Sequence, residues 1–316
     1  MTSNPTVVTF ANFVRAESDR MFAGIAASAP RPNAWNHFRE PTPVDEQTVI
    51  RMNRDTLYSA IILDVSAGAT ITIPDAGDRY ISVMLVNQDH YIPRVLHAGG
   101  TYDITAADIG SDYVLAAGRL LVDPQDPTDI TAVNALQDDF SATSVRNAPF
   151  TAASYDEESL VATRAPLLEL AKGLGGLSGC FGPRDDVDLI RHLLGSASAW
   201  GGLPESEAFY INVAPGLPVG EYELVVGEVP VDGFWSITLY NAEGYLVPNS
   251  AGAYSLNNLT AVRNDDGTIT VRFGGDPMRP NTLPIMEGWN YLVRLYRPRP
   301  EILDGTWLFP EISSRP

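Results

Sequence analysis

The sequence predicts a β-rich α+β fold: two related antiparallel β-sandwich or jelly-roll-like modules, an N-terminal helix and a helical insert. Three observations predict it. First, residues 78–91 (DRYISVMLVNQDHY) and 232–245 (DGFWSITLYNAEGY) read as two copies of one β unit. At a constant offset of 154 residues they share Asp78/Asp232, Ser82/Ser236, Leu85/Leu239, Asn87/Asn241 and Tyr91/Tyr245, with conservative matches at Tyr80/Phe234, Val83/Ile237 and Asp89/Glu243. Shared composition of strands is the competing account of so short a match. Second, the stretches around each copy have a period of two, with β-branched residues and turn punctuation. Third, the residues between them have helical spacing. The expected boundaries are 1–125 for the helix and first module, 126–200 for the insert and 201–316 for the second module.

The elements follow in order. Val7, Phe10, Val14, Met21 and Ile25 recur at near-helical spacing, and Pro30 and Pro32 end that helix. Residues 33–56 are polar and irregular. LYSAIILDV, ATITIP, RYISVMLV and YVLAAGRLLV are strands, and Gly77-Asp78 and Gly99-Gly100 mark turns. DPQDPTDITAVNALQDDF offers Asp or Thr caps before the stripe Ile130, Val133, Leu136 and Phe140. A second helix spans 156–174, and a third starts near Pro183 and runs through DLIRHLL. After Trp200 the strands AFYINV, EYELVV, FWSITLY, TITVRF and NYLVRLY return. Asn264-Asp265-Asp266-Gly267 predicts a hairpin between LTAV and TITV. Few strands lead into a helix of 10–15 residues, which argues against a doubly wound parallel sheet.

Composition narrows the function classes. With 45% hydrophobic and 19% charged residues the chain is globular. A net charge of −18 argues against nucleic acid and anionic membrane surfaces as partners, because both need basic patches. A small-molecule ligand remains, and a homo-oligomer stays open. Cys180 is the only cysteine, so no internal disulfide and no Cys-rich metal site forms. Lys172 is the only lysine, in a helical run where a solvated role is expected. The N-terminus shows no basic-then-apolar leader, and no run of 18 apolar residues occurs, so a cytoplasmic location is the expectation.

VPVDGFWSITLYNAEGYLVPN, AYSLNN, NDDGTITVRF and NTLPIMEGWNYLVRLYRPRPEILDGTW resemble domain-of-unknown-function family 1214. MNRDTLYSAIILDVSAG and PDAGDRYISVML resemble its usual partner, domain-of-unknown-function family 1254. At Thr282 this chain departs from the family's Asn-Trp-Leu-Pro. The resemblance implies a two-module, β-rich fold and no agreed activity.

Familiar catalytic signatures are absent: no G-x-S-x-G elbow, H-E-x-x-H or P-loop occurs. The Gly-rich run 173–179 follows a helix and reads as its C-terminal breaker. Asp123, Asp126 and Asp129 read as turn and N-cap residues rather than calcium ligands. His90 and His97 are too irregularly set for a metal signature, so no metal site is predicted and no cofactor is named. His90 follows the repeated strand where the second copy has Gly244, and a loop histidine can act as a general base near neutral pH. Asn53-Arg54-Asp55 and Tyr58 enter the first strand. Arg54 can hold a carboxylate in two-pronged geometry, and Asp55 can orient a histidine or pair with Arg54.

In the repeated strand Phe234, Ser236, Thr238 and Tyr240 share a face that suits either a ligand cavity or a helix-covered surface. Arg294 on the last long strand can meet a ligand carboxylate or an internal acid. The candidate catalytic residues are therefore His90 and Asp55, and the candidate substrate-binding residues are Asn53, Arg54, Tyr58 and Arg294. Two functions follow: a hydrolase or lyase acting on a small polar or acidic metabolite, or a non-catalytic ligand-binding or assembly protein.

Overall fold

The computed structural model of the chain describes residues 4–47 and 49–314. They divide into two compact units. Unit one comprises Met1–Arg39, Tyr58–Leu120 and Ala132–Glu205; unit two comprises Glu40–Leu57, Leu121–Thr131 and Ser206–Pro316.

Unit one opens with α1 (Phe13–Ser28). The helix starts later than the apolar spacing predicts. The residues before it are held extended: Thr6 donates its N–H to the Ser154 carbonyl and accepts from the Asp156 N–H, at 2.8 and 2.9 Å. Val7 and Phe10 are consequently exposed. The strands are β1 (Asn36–His37), β2 (Thr56–Asp64), β3 (Ala69–Ile73), β4 (Ile81–Asn87), β5 (Arg94–Leu96), β6 (Gly100–Ile104), β7 (Tyr113–Leu121) and β8 (Ser141–Ser144). The helices between and after them are α2 (Ala106–Ile109), α3 (Pro127–Asp138), whose residues up to Thr131 belong to unit two, α4 (Glu157–Ala171) and α5 (Leu189–Ser198). One sheet runs β1-β2-β7-β4-β5, the other β6-β3-β8. On β3, Ala69, Ile71 and Ile73 are buried, while Thr70 and Thr72 pair outward with Thr143 and Thr101 at 2.6 and 3.0 Å.

The helices end where local chemistry dictates. The Asp156 carboxylate caps α4 by accepting from the Ser159 N–H at 2.9 Å. The cap of α5 is Asp188, which accepts from Ile190 and Arg191. Phe13, Ala16, Leu160, Leu167 and Leu194 form one cluster joining α1, α4 and α5.

Unit two contains β9 (Ala208–Val213), β10 (Tyr222–Val226), β11 (Trp235–Tyr240), β12 (Ser255–Asn257), β13 (Ile269–Phe273), β14 (Thr282–Leu283), β15 (Asn290–Tyr296), α6 (Pro300–Leu303) and β16 (Ser313–Ser314). Its sheets run β12-β11-β15-β9 and β14-β13-β10-β16. All their pairings are antiparallel except β13 with β14. Leu224, Val226, Ile237, Val271, Phe273, Val293 and Leu295 form one core cluster drawn from both sheets, a β-sandwich interior.

The predicted 264–267 turn forms, with Gly267 at φ 83°. It does not join two strands. Asn257 holds residues 259–260 in a turn by accepting their N–H groups, and Asn281 takes the Val262 N–H. The strand expected at LTAV is therefore absent.

The duplication extends through both units. In chain order β2 to β8 correspond to β9, β10, β11, β12, β13, β15 and β16. Under that correspondence β2-β7-β4-β5 matches β9-β15-β11-β12, and β6-β3-β8 matches β13-β10-β16. The Asn turn is reproduced bond for bond. Asn87 N–H donates to the Tyr91 carbonyl at 2.9 Å, His90 N–H to the Asn87 carbonyl at 3.0 Å, and Tyr91 N–H to Asn87 Oδ1 at 2.9 Å. Asn241, Gly244 and Tyr245 repeat these bonds at 2.9, 3.0 and 2.8 Å. Both turns need a left-handed residue, and His90 (φ 62°) and Gly244 (φ 91°) supply it.

Candidate functional site

Unit two carries a polar cluster on the face of β11 and β15 turned away from the sandwich core. Ser236 lies opposite Arg294 in the β11–β15 register. Arg294 is buried, yet it is fully engaged. Its Nη1 donates to Thr238 Oγ1 at 2.7 Å, and its Nη2 donates to the Tyr240 hydroxyl and the Arg51 carbonyl, each at 2.8 Å. The Tyr240 hydroxyl in turn donates to the Met52 carbonyl at 2.8 Å. Burial opposes the charge on Arg294. Tyr240, Tyr296 and Asp55 outweigh that cost and raise its pKa.

This face is neither an open cavity nor covered by a helix. The segment 49–57, irregular until β2 begins at Thr56, lies over it. Arg51 donates to Asn290 Oδ1. Asn53 Nδ2 reaches the Tyr296 hydroxyl at 3.2 Å and Thr56 Oγ1 at 3.1 Å, and Asn53 Oδ1 accepts from the Asp55 N–H at 3.0 Å. Asp55 is fully buried. Its Oδ1 accepts from Asn257 Nδ2 at 3.2 Å, and its Oδ2 meets no donor among the described residues. Asp55 thus serves as an internal negative charge near Arg294.

Arg54 points elsewhere. The expected Arg54–Asp55 ion pair does not form. Arg54 Nη1 donates to the Thr42 carbonyl, and its guanidinium lies 5.4 Å over the Tyr254 ring. Burial lowers its pKa, with Tyr254 and Asp55 acting against that shift. Arg54 and Tyr254 line a cleft of about 510 Å³ together with Glu40, Pro43, Asp45 and Pro248. No sequence motif marked the cleft, because its lining comes from three distant segments.

The remaining candidates lie in unit one. Tyr58 is half-buried, with the Arg119 guanidinium 5.7 Å over its ring. His90 is wholly buried. Its Nε2 accepts from the Gly201 N–H at 2.9 Å, so Nδ1 carries the proton and donates to Ser196 Oγ at 2.7 Å. The ring stacks on Trp200 at 5.0 Å. Burial, reinforced by His192, pushes its pKa down to about 3. This corrects the expectation that His90 titrates near neutrality. With both nitrogens engaged and no water contact, it has no free site from which to exchange a proton. Asp55 and His90 belong to different units.

The three aspartates at 123, 126 and 129 act as turn and cap residues. Asp129 accepts from the Asp123 N–H at 2.7 Å, and Asp126 accepts from the Thr128 N–H at 2.8 Å. Among the described residues no three His, Cys, Asp or Glu side chains gather as a metal site. No helix of the described residues is long and apolar enough to cross a membrane.

Residues 32–144 match the family model described as protein of unknown function DUF1254, and residues 218–300 match that described as protein of unknown function DUF1214. The chain pairs a DUF1254 region with a DUF1214 region. No curated protein matches it. Among solved structures it is similar to the VPA0106 protein of Vibrio parahaemolyticus, with a TM-score of 0.72 at 17% identity, over 97% of this chain and 98% of that one. It is also similar to an uncharacterized protein from Burkholderia cenocepacia, with a TM-score of 0.50 at 12% identity, over 96% and 88%. At these identities the likeness shows the fold alone.

Proposed function

We propose that this DUF1254–DUF1214 chain is a cytoplasmic ligand-binding protein, and that the Arg54 cleft takes a small polar metabolite bearing a carboxylate. The observation that carries this reading is the state of Arg54. It is partly desolvated and lines a cleft, and among the described residues its only hydrogen bond is to the Thr42 carbonyl. A guanidinium in that state gains from a two-pronged contact with a carboxylate. Tyr254, Pro43 and Pro248 offer apolar surface for the ligand's body, and Glu40 and Asp45 offer acceptors for an amino or hydroxyl group. A zwitterionic, amino-acid-like compound satisfies all three. Hydrolase or lyase chemistry is the second reading. It rests on Asp55, whose Oδ2 lacks a donor, without help from His90.

The test is calorimetric titration with a panel of amino acids and small hydroxy and dicarboxylic acids. We expect at least one to bind, and Arg54→Met to weaken it by roughly tenfold or more. A panel with no binder, or equal binding by Arg54→Met, overturns the reading.

A further inference from the structure

We infer that Ser82 and Arg119 in unit one form a second, separate site, which binds the carboxylate of a small organic acid. The inference starts from the duplication. Ser82 lies opposite Arg119 in the β4–β7 register, as Ser236 lies opposite Arg294 in the β11–β15 register. The two Ser–Arg pairs therefore occupy equivalent places, and side chains directly opposite on neighbouring strands sit about 4.5–5.5 Å apart at Cβ.

Their surroundings differ. In unit two, Thr238 and Tyr240 accept from Arg294, and Asp55 supplies a negative charge nearby. At the same offset of 154, unit one has Met84 and Val86. Neither offers an oxygen to Arg119. Its Nη2 donates to the Gly201 carbonyl at 3.1 Å. Its Nη1 is buried with no acceptor, and Ser82 Oγ, also buried, has no partner. No carboxylate among the described residues ion-pairs with Arg119.

Two orphaned donors beside one uncompensated cation specify the missing group. It is an anion with two oxygens and a single charge. A carboxylate fits this donor count better than a phosphate, whose greater charge and third oxygen would find no further donor here. Space is open at Gly201, whose carbonyl takes the Arg119 Nη2 bond. A Cβ placed on Gly201 would meet nothing within 4 Å. Arg119, Tyr58 and His97 are each only half-buried, so the side chains around the pair reach solvent. Tyr58 lies under the guanidinium, and Tyr80, two residues before Ser82 and just ahead of β4, has its ring 6.0 Å from His97. Aromatic rings at these places favour a flat organic acid over a bare inorganic ion.

The experiment is a thermal-shift and calorimetric titration of the full chain with acetate and benzoate at millimolar concentrations, using chloride and phosphate as controls. We expect benzoate to bind more tightly than acetate and to raise the melting temperature. Ser82→Ala and Arg119→Met should each weaken benzoate by roughly tenfold. Arg54→Met should leave it unchanged, which separates this site from the Arg54 cleft. Ser82→Ala removes a single buried hydroxyl that makes no bond, so it decides the matter if Arg119→Met folds poorly. The proposal is overturned if benzoate does not stabilise the wild type, if Ser82→Ala binds it equally, or if Arg54→Met abolishes it. Stabilisation by phosphate equal to that by benzoate also overturns it.

Discussion

The two modules hold an arginine at the same register position and treat it in opposite ways. Arg294 is buried beneath residues 49–57, and Thr238, Tyr240 and Arg51 of its own unit accept its hydrogen bonds. Arg119 keeps one carbonyl contact and a buried, unused Nη1. The strand order and the Asn turn are the same in both, so the backbone frame does not explain the difference. The side chains two and four residues after the shared serine do: Thr238 and Tyr240 in one module, Met84 and Val86 in the other. A duplicated fold can thus turn one copy of a polar pair into structure and leave the other with binding capacity.

The sharpest way to break this comparison is to neutralise each arginine. Arg294→Met should destabilise the protein by about 3–5 kcal/mol, because it strands the Asp55 charge and several buried polar groups. Arg119→Met should cost about 1 kcal/mol or less in the absence of ligand, because it removes one bond from a half-buried side chain. Urea denaturation of the two variants checks both values, and equal losses would mean that the two arginines are equally structural.

The turn residue gives a second contrast, in pH. His90 is neutral when folded, with its pKa pushed down to about 3, and returns to about 6.5 when unfolded. The folded state therefore binds fewer protons between these values. Its contribution to stability is fully present above about pH 6.5 and is lost as pH falls toward 3. At about pH 5 the loss is about 2 kcal/mol. His90→Asn keeps the left-handed turn accessible and should remove this part of the acid sensitivity, measurable as a flatter stability profile between about pH 7 and 5. A variant profile parallel to the wild type would show that His90 is already accessible to protons.

The smallest effect is expected at the matching position of the other turn. Gly244→Ala forces a side chain into φ 91°, with its Cβ 3.3 Å from Ile50. A loss of about 1–2 kcal/mol in thermal unfolding is expected. No loss would mean that the turn relaxes freely.

Much of this was legible without a structure. The 154-residue offset found the paired strands and both Asn turns, because alternation and turn chemistry are local properties of the chain. Helix α4 was legible from its apolar spacing, and the structure adds the Asp156 cap. Arg294 was recognised as facing either a ligand or an internal acid, and Arg54 as an arginine of interest. Arg119 was missed. Its signal was present in GRLL of β7 against VRLY of β15, but aligning those segments needs an offset of 175 residues, which differs from that of the first pair.

The strand-rich class, the matching strands and the sites of the Asn turns are written in the sequence, since each depends on neighbours a few residues apart. Only the tertiary structure decided which polar groups are satisfied. Segment 49–57 covers its sheet through bonds to residues some 190 to 240 positions away, such as Tyr240 to Met52 and Arg294 to Arg51. His90 became a buried, neutral ring because Ser196, Trp200 and Gly201 close around it. Hydrogen-bond satisfaction and burial are set by which distant segments meet, and local spacing carries no record of that.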